Sequence, residues 1–439
     1  MAKKKEAFAS PLVPVEEQPY KIPDNWCWVK LEDISEIIMG QSPIGSNTTD
    51  DSSYMPLIGG AADMGIMYPL ATRYTKVPTK VSENGDLIVC IRATLGKPIF
   101  SDGEYCLGRG VAAVRPYIGP KEFYRYFFLN FEQYLYDNAT GTTFAQVSSK
   151  ILQKMPVPCS PLPEQQRIVD RIESMFAKLD EAKEKAQAVV DGFELRKSAI
   201  LHKAFTGELT ERWRKEHGIG RESWEIKTIG EVFEAFSGKG FKEKEYSPSG
   251  IKLLRISNVT YDALIWDDTK YLPYEYVNLV PELVLKEDDI VMALNRPITN
   301  EKLKISVVNS TEPIILYQRV GCLRKKHDYQ VDYLRFALES RDFLTQVRSN
   351  LQGSDQPYIN LPPLKKLTIP VCQHKEQIEI VRILNKVLGR EQQAKEAAEA
   401  VLTQIDTMKK TILARAFRGE LGTNDPAEEW AGELVKSVL

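Results

Sequence analysis

Two stretches of the chain carry apolar residues at alternating steps near 3.5. The first runs through Ile168, Ile172, Met175, Leu179, Ala182, Ala186, Val189, Phe193 and Ile200. The second runs through Ile380, Leu384, Val387, Ala394, Ala398, Val401, Ile405, Met408 and Ile412. A 3.5-residue period kept up for about five to six heptads predicts a coiled-coil seam. At about 1.5 Å per residue, roughly 43 residues make a rod near 65 Å long. Pro161 and Pro163 precede the first helix, and Glu164 sits in its first turn, where a carboxylate suits the helix dipole. Gly207 and Gly419 are placed to close the helices as left-handed C-caps. Glu391 interrupts the second seam, opposite Leu179 in the first; a register role and plain exposure both remain open.

Elsewhere the pattern changes. Short apolar, β-branched runs such as "DLIVCI" and "KLLRIS" alternate with Pro- and Gly-rich turns over residues 21–160 and 224–370. Residues 121–138 and 331–349 each read as one amphipathic helix. The expected architecture is two α/β (α+β) modules joined by two long antiparallel coiled-coil helices with pseudo-two-fold symmetry. The expected order is a tail over 1–20, a module over 21–160 and a helix over 161–207. A polar connector follows over 208–223, then a module over 224–370, a helix over 371–421 and a tail over 422–439.

The chain repeats itself. "ILHKAFTGEL" (200–209) returns as "ILARAFRGEL" (412–421), an offset of 212 that holds without a gap back to Gly141 over Gly353. At that offset Glu164-Gln165 falls on Glu376-Gln377, and Val157-Pro158 on Ile369-Pro370. Further upstream the offset drifts, and "WCWVKLEDI" (26–34) aligns with "WEIKTIGEV" (224–232) at 198. "GDLIV" (85–89) resembles "DDIVM" (288–292), and "GVAAVR" (110–115) resembles "RVGCLR" (319–324).

With 439 residues and 43% hydrophobic positions, the chain can fill more than one core. No apolar run reaches the length of a membrane span, and "MAKKKEAFAS" lacks the apolar region of a secretory signal. The six cysteines form no C-x-x-C pair and fit free thiols in a reducing cytoplasm. The four histidines have no second His or Cys at ligand spacing, so no metal site is expected. A net charge of −2 and a pI near 6.2 weigh mildly against nucleic acid, unless a basic face is balanced by acids elsewhere.

Two equivalent apolar helices bury their stripes best against each other. An antiparallel pairing would set the modules about a dyad, which suits duplex DNA read as two half-sites. Two divergent modules would then read an asymmetric, split sequence, with the helices as a ruler. Inserting one turn into each long helix would widen the gap between half-sites by about one or two base pairs. The competing reading is a non-catalytic helical-hairpin scaffold whose duplicated modules bind protein or glycan. A steep salt dependence on random duplex separates the two.

Catalytic signatures are missing. "SGKGF" (237–241) lacks the spacing and hydroxyl of a phosphate-binding loop, and "NLPPL" (360–364) reads as a turn entering the next strand. No G-x-S-x-G elbow occurs. What remains are side chains suited to base edges and phosphates. In the first module these are Arg73, Arg92, Lys97, Arg109, Thr142, Thr143 and Gln146. In the second they are Arg255, Asn258, Asn295, Arg296, Lys302, Arg319, Ser354 and Gln356.

Paired "EQ" helix openings, helices closing in "AF-x-GEL" and the "GELTERWR" connector give the chain its family likeness. It resembles the specificity subunit of type I restriction-modification enzymes from about Ile22 to Leu421. The resemblance implies a non-catalytic subunit with two target recognition domains reading an asymmetric bipartite DNA site. It implies helices that dock two modification subunits, which bind S-adenosylmethionine and methylate adenine N6. Restriction subunits would add ATP- and Mg-dependent translocation and cleavage, all in the cytoplasm. Glu164, Gln165, Glu376, Gln377, Phe205 and Phe417 match the family's helix motifs, with packing and partner docking as the implied roles. Ile172, Leu179, Phe193, Leu384, Ile405 and Ile412 are candidates for helix pairing or docking on the seam.

Overall fold

The computed structural model describes residues 12–141, 144–261 and 263–438. The chain divides into two compact units. One is drawn from the chain up to Ala186 and from Ala400 onward, and the other is Gln187–Glu399. The first unit therefore takes the head of the first long helix and the tail of the second, and the second unit takes the converse.

In the first unit a four-stranded antiparallel sheet has the order Ser35–Met39, Val111–Pro116, Leu87–Arg92, Thr94–Phe100. Leu87 to Ile91 are buried without alternation, as expected of a strand covered on both faces. A five-stranded sheet runs Thr48–Thr49, Arg73–Thr75, Met55–Ile58, Tyr105–Leu107, Val81–Ser82. The module's first and last strands pair, Cys27 opposite Cys159, so its two ends meet. The core gathers Trp28, Phe123, Phe127 and Ile168, together with Leu413 and Phe417 from the end of the second long helix.

The second unit repeats the plan. Its four-stranded sheet runs Phe233–Ser237, Val320–Lys325, Ile290–Ala293, Ile305–Val307. Glu225 sits opposite Val371, the pair that the two sequence offsets assign to Cys27 and Cys159. A three-stranded sheet, Lys270–Leu272, Ile251–Leu254, Ile314–Leu316, stands where the first unit has five strands. Its core includes Leu201, Ala204 and Phe205 from the tail of the first helix.

The helices differ from expectation in instructive places. The second long helix is continuous, His374–Ala416, 43 residues. The first comprises Leu162–Asp191 and Phe193–Phe205, interrupted at Gly192, a residue with poor helix propensity. Residues 121–138 and 331–349 each form two helices rather than one. Ser340 breaks the second run, leaving the helix at ψ 149° while its hydroxyl accepts from Phe343 N. "NLPPL" opens a short helix, Leu361–Lys366, with prolines in the first turn where a missing N–H costs nothing. Gly207 (φ 80°) and Gly419 (φ 74°) take the left-handed C-cap conformation.

Among the described residues, the expected tails and connector contain folded parts. Val13 is buried, and Glu211–Glu216 is a helix within 208–223. Ala431–Lys436 is a helix whose Ala431 and Val435 enter the first core.

Within each unit the helices pair antiparallel. In the first, Asp180 meets Lys409 and Lys183 meets Asp406 at 3.7 Å, so partner numbers fall on one helix as they rise on the other. In the second, Lys395 lies over the Phe193 ring and Arg196 bonds Glu391 at 2.6 Å. Glu391 is thus paired. Ile172, Leu384, Ala398 and Ile405 are buried, but Val401 and Met408 are 39% and 48% exposed. Between them Lys395 and Lys409 set their ammonium groups over the Phe193 and Phe176 rings, and Leu402 is half-buried.

Candidate nucleic-acid interface

Each module holds its longest polar loop by the same frame. In the first, Thr140 and Gln146 exchange backbone hydrogen bonds, both 2.9 Å, closing a five-residue tip, 141–145. The returning strand docks on the end of Leu87–Arg92: Val147 N donates to Ile91 O, and Ala93 N donates to Ala145 O. In the second, Gln352 and Tyr358 make the reciprocal pair, Ile359 N donates to Leu294 O, and Arg296 N donates to Pro357 O at 2.6 Å. Every loop position corresponds at the offset of 212. The hairpin residue at each junction is left-handed, Ala93 at φ 64° and Arg296 at φ 46°.

A left-handed backbone costs a side-chain-bearing residue of order 1–3 kcal/mol and persists where the surroundings enforce it. Lys97 (φ 47°), Arg296 and Arg319 (φ 67°) are three such residues, and all are exposed. Gly141 (φ 108°) and Gly353 (φ 80°) open the tips, where an added Cβ would lie 2.4 Å from Phe144 O or 3.3 Å from Gln356 O.

The frame brings Arg92 and Gln146 together as bridged neighbours, and Asn295, Arg296 and Gln356 around the corresponding junction. Ser354 lies exposed on the second tip. Thr142 and Thr143 lie outside the described residues. Arg73 and Arg109 occupy another part of the first module. Arg73 stands 3.7 Å from Asp63, and Arg109 Nε donates to Ser42 Oγ at 3.3 Å.

Other candidates are engaged within their unit. Asn258 is 2% exposed: its Oδ1 accepts from Arg255 N and its Nδ2 donates to Ile265 O. It shapes a turn and presents nothing to a base. Arg255 bonds Asp268 at 2.6 Å, which lowers the Asp268 pKa. Lys302 pairs with Glu194 at 2.6 Å and lies over the Tyr261 ring.

Charged pairs with no signature in the spacing of the sequence set the sheet beneath each frame. Arg115 makes a bidentate contact to Asp86, 2.8 and 2.9 Å, and Arg324 the same to Asp289, 2.9 and 2.7 Å. Both aspartates are almost wholly buried, and these bonds raise both arginines above their ordinary pKa.

The helix-head residues are likewise internal. Gln165 Nε2 donates to Ser160 O, and Gln377 Nε2 to Cys372 O. Glu164 and Glu376 are fully buried, so these four act through packing inside their units and offer no surface to a partner. Phe205 packs on Tyr333 (5.4 Å) and Phe417 on Phe123 (5.1 Å). By contrast, Leu179 and Ile412 line an open groove of about 500 Å³ with Met175 and Met408. All six cysteines are free and buried, and no helix among the described residues is long and apolar enough to cross a membrane.

One recognition module written twice, with a common loop frame and unlike side chains upon it, defines a duplicated specificity protein. The sequence profile of the type I restriction modification DNA specificity domain matches residues 23–190 and again 221–402, and the chain belongs to that family. It is 30% identical over 413 residues to the type I restriction enzyme MjaVIII specificity subunit of Methanocaldococcus jannaschii, covering 91% of this chain and 94% of that one. The EcoKI specificity subunit of Escherichia coli K12 is 22% identical, with 93% and 92% covered. The fold matches the crystal structure of the HsdS subunit from Thermoanaerobacter tengcongensis at a TM-score of 0.62, 18% identity and 92% and 100% coverage. It matches a chain solved for the complex assembly and conformational transition of the type I R-M system at 0.71, again at 18% identity, covering 92% of this chain and 100% of that one.

Proposed function

We propose that this chain reads an asymmetric bipartite DNA target, one half-site per module. In this reading it docks two adenine-N6 methyltransferase subunits along its helices, and restriction-translocase subunits join the complex. The chain itself supplies no catalysis. S-adenosylmethionine, ATP and Mg belong to the partners, and the assembly works in the cytoplasm.

The observation that carries the reading is the twin loop frame. Its backbone bonds coincide at every position while its side chains do not: Arg92 against Asn295, Ala93 against Arg296. Identical frames with different side chains suit two readers of different sequences. Arg and Asn are residue types that read guanine and adenine edges. The groove containing Met175, Leu179 and Met408 supports partner docking, since flexible thioethers adapt to an apolar partner.

Per-base methylome mapping in a host with and without this gene tests the proposal. The expected result is one split, asymmetric adenine-methylated motif that disappears with the gene. An unchanged methylome overturns it. Methyl transfer from labelled donor to DNA by the purified chain alone would overturn the non-catalytic assignment.

A further inference from the structure

We propose that Phe144 reads the 5-methyl group of one thymine in the first module's half-site. The inference rests on the DNA-reading function above and deepens it.

Phe144 is 60% exposed at the tip of the loop over 141–149. Its backbone is held: the tip is closed by the Thr140–Gln146 pair, and Ala145 O accepts from the left-handed Ala93. Gly141 is required beneath it, because a Cβ there would meet the Phe144 carbonyl at 2.4 Å. The backbone on either side of Phe144 is thus held by named bonds while its aromatic ring faces solvent.

The second module says what that place is for. At the offset of 212, Phe144 corresponds to Gln356, which is exposed and whose carbonyl faces Gly353 as that of Phe144 faces Gly141. A glutamine amide has the donor and acceptor for an adenine edge. A phenylalanine at the same place has neither, and the feature of a base edge that it matches is the thymine methyl. With Gln356 read as facing a base edge, the shared frame gives Phe144 the same placement, at base edges and not between base pairs.

The test uses the full chain in the complex it forms in its host, on the duplex defined by methylome mapping. Each thymine of the first half-site is replaced singly by deoxyuridine, which removes only the methyl. The wild-type complex should lose about fourfold in affinity at one thymine, the worth of one buried methyl-sized group, and little elsewhere. Phe144→Ala should bind the thymine and uracil duplexes equally at that position, while Phe144→Leu keeps the preference. A wild-type complex indifferent to every thymine methyl overturns the proposal, as does a Phe144→Ala complex that still senses one. A wedge between base pairs would weaken thymine and uracil duplexes alike on Phe144→Ala without a methyl preference in the wild type, and that also overturns it. Absence of any sequence-specific binding by the wild type would instead sink the DNA-reading function on which it rests.

Discussion

The indole Nε1 of Trp26 donates to the Glu164 carboxylate at 2.7 Å across 138 residues of sequence. Trp224 and Glu376 repeat the bond at 3.1 Å across 152. Each bond ties the start of a module to the head of the helix that follows it. The segment after the other helix completes each site: Thr423 and Asn424 donate to Glu164, and Thr210 and Arg214 donate to Glu376. The two buried carboxylates are thus junctions where three stretches of chain meet.

Burial is the largest influence on Glu164 and raises its pKa above the ordinary 4.5, against the lowering effect of its donors. A carboxyl with a raised folded pKa contributes stability that is full below the unfolded value and is lost as pH rises through the folded one. Urea midpoints of the first unit should therefore fall from this source as pH climbs above 4.5, and Glu164→Gln should flatten that slope. Parallel slopes for the two proteins would refute the assignment.

Arg214 and Glu376 form a buried ion pair at 2.6 Å, with side chains 8% and 0% exposed. Removing one partner of such a pair typically costs about 3–5 kcal/mol, because the other charge is left uncompensated. Arg214→Ala should destabilise the second unit by that amount in denaturant unfolding. Arg214→Lys should fall between, since an ammonium cannot reach both Glu376 and the Gly207 carbonyl in the fork geometry observed.

Phe417 lies at the far end of the sequence yet packs on Phe123 and Phe127. Phe417→Ala should cost the first unit about 3–5 kcal/mol. Hydrogen exchange should then accelerate in Lys121–Asn130 and stay unchanged in Val331–Glu339. Phe205→Ala, removing a neighbour of Tyr333, should show the reverse pattern.

Arg296 combines a strained backbone, φ 46°, with an exposed guanidinium beside the second tip. Arg296→Gly should relieve strain and raise stability by up to about 1 kcal/mol. It should also weaken DNA binding by about 1–3 kcal/mol and relax a single base position. A uniform loss across single-base duplex variants would reassign the residue to a phosphate.

The sequence alone determined the duplication, the helical runs with their glycine caps, though not the break at Gly192, and the modules' main strands. Those features are local and periodic: a seven-residue apolar repeat, a left-handed C-cap and a buried β-branched run depend on near neighbours. It also located the polar loops at 141–149 and 353–360. Only the tertiary structure decided that each helix tail completes the core opposite to the one its own sequence order suggests, placing Phe417 beside Phe123 and Phe205 beside Tyr333. It likewise turned the expected tail and connector into folded parts, and the conspicuous Glu164 and Glu376 into buried junctions. It buried Asn258, at 2% exposed, and left Phe144 60% exposed. Each of these outcomes depends on which distant segments meet, and one-dimensional spacing records the chemistry of a side chain without recording what covers it.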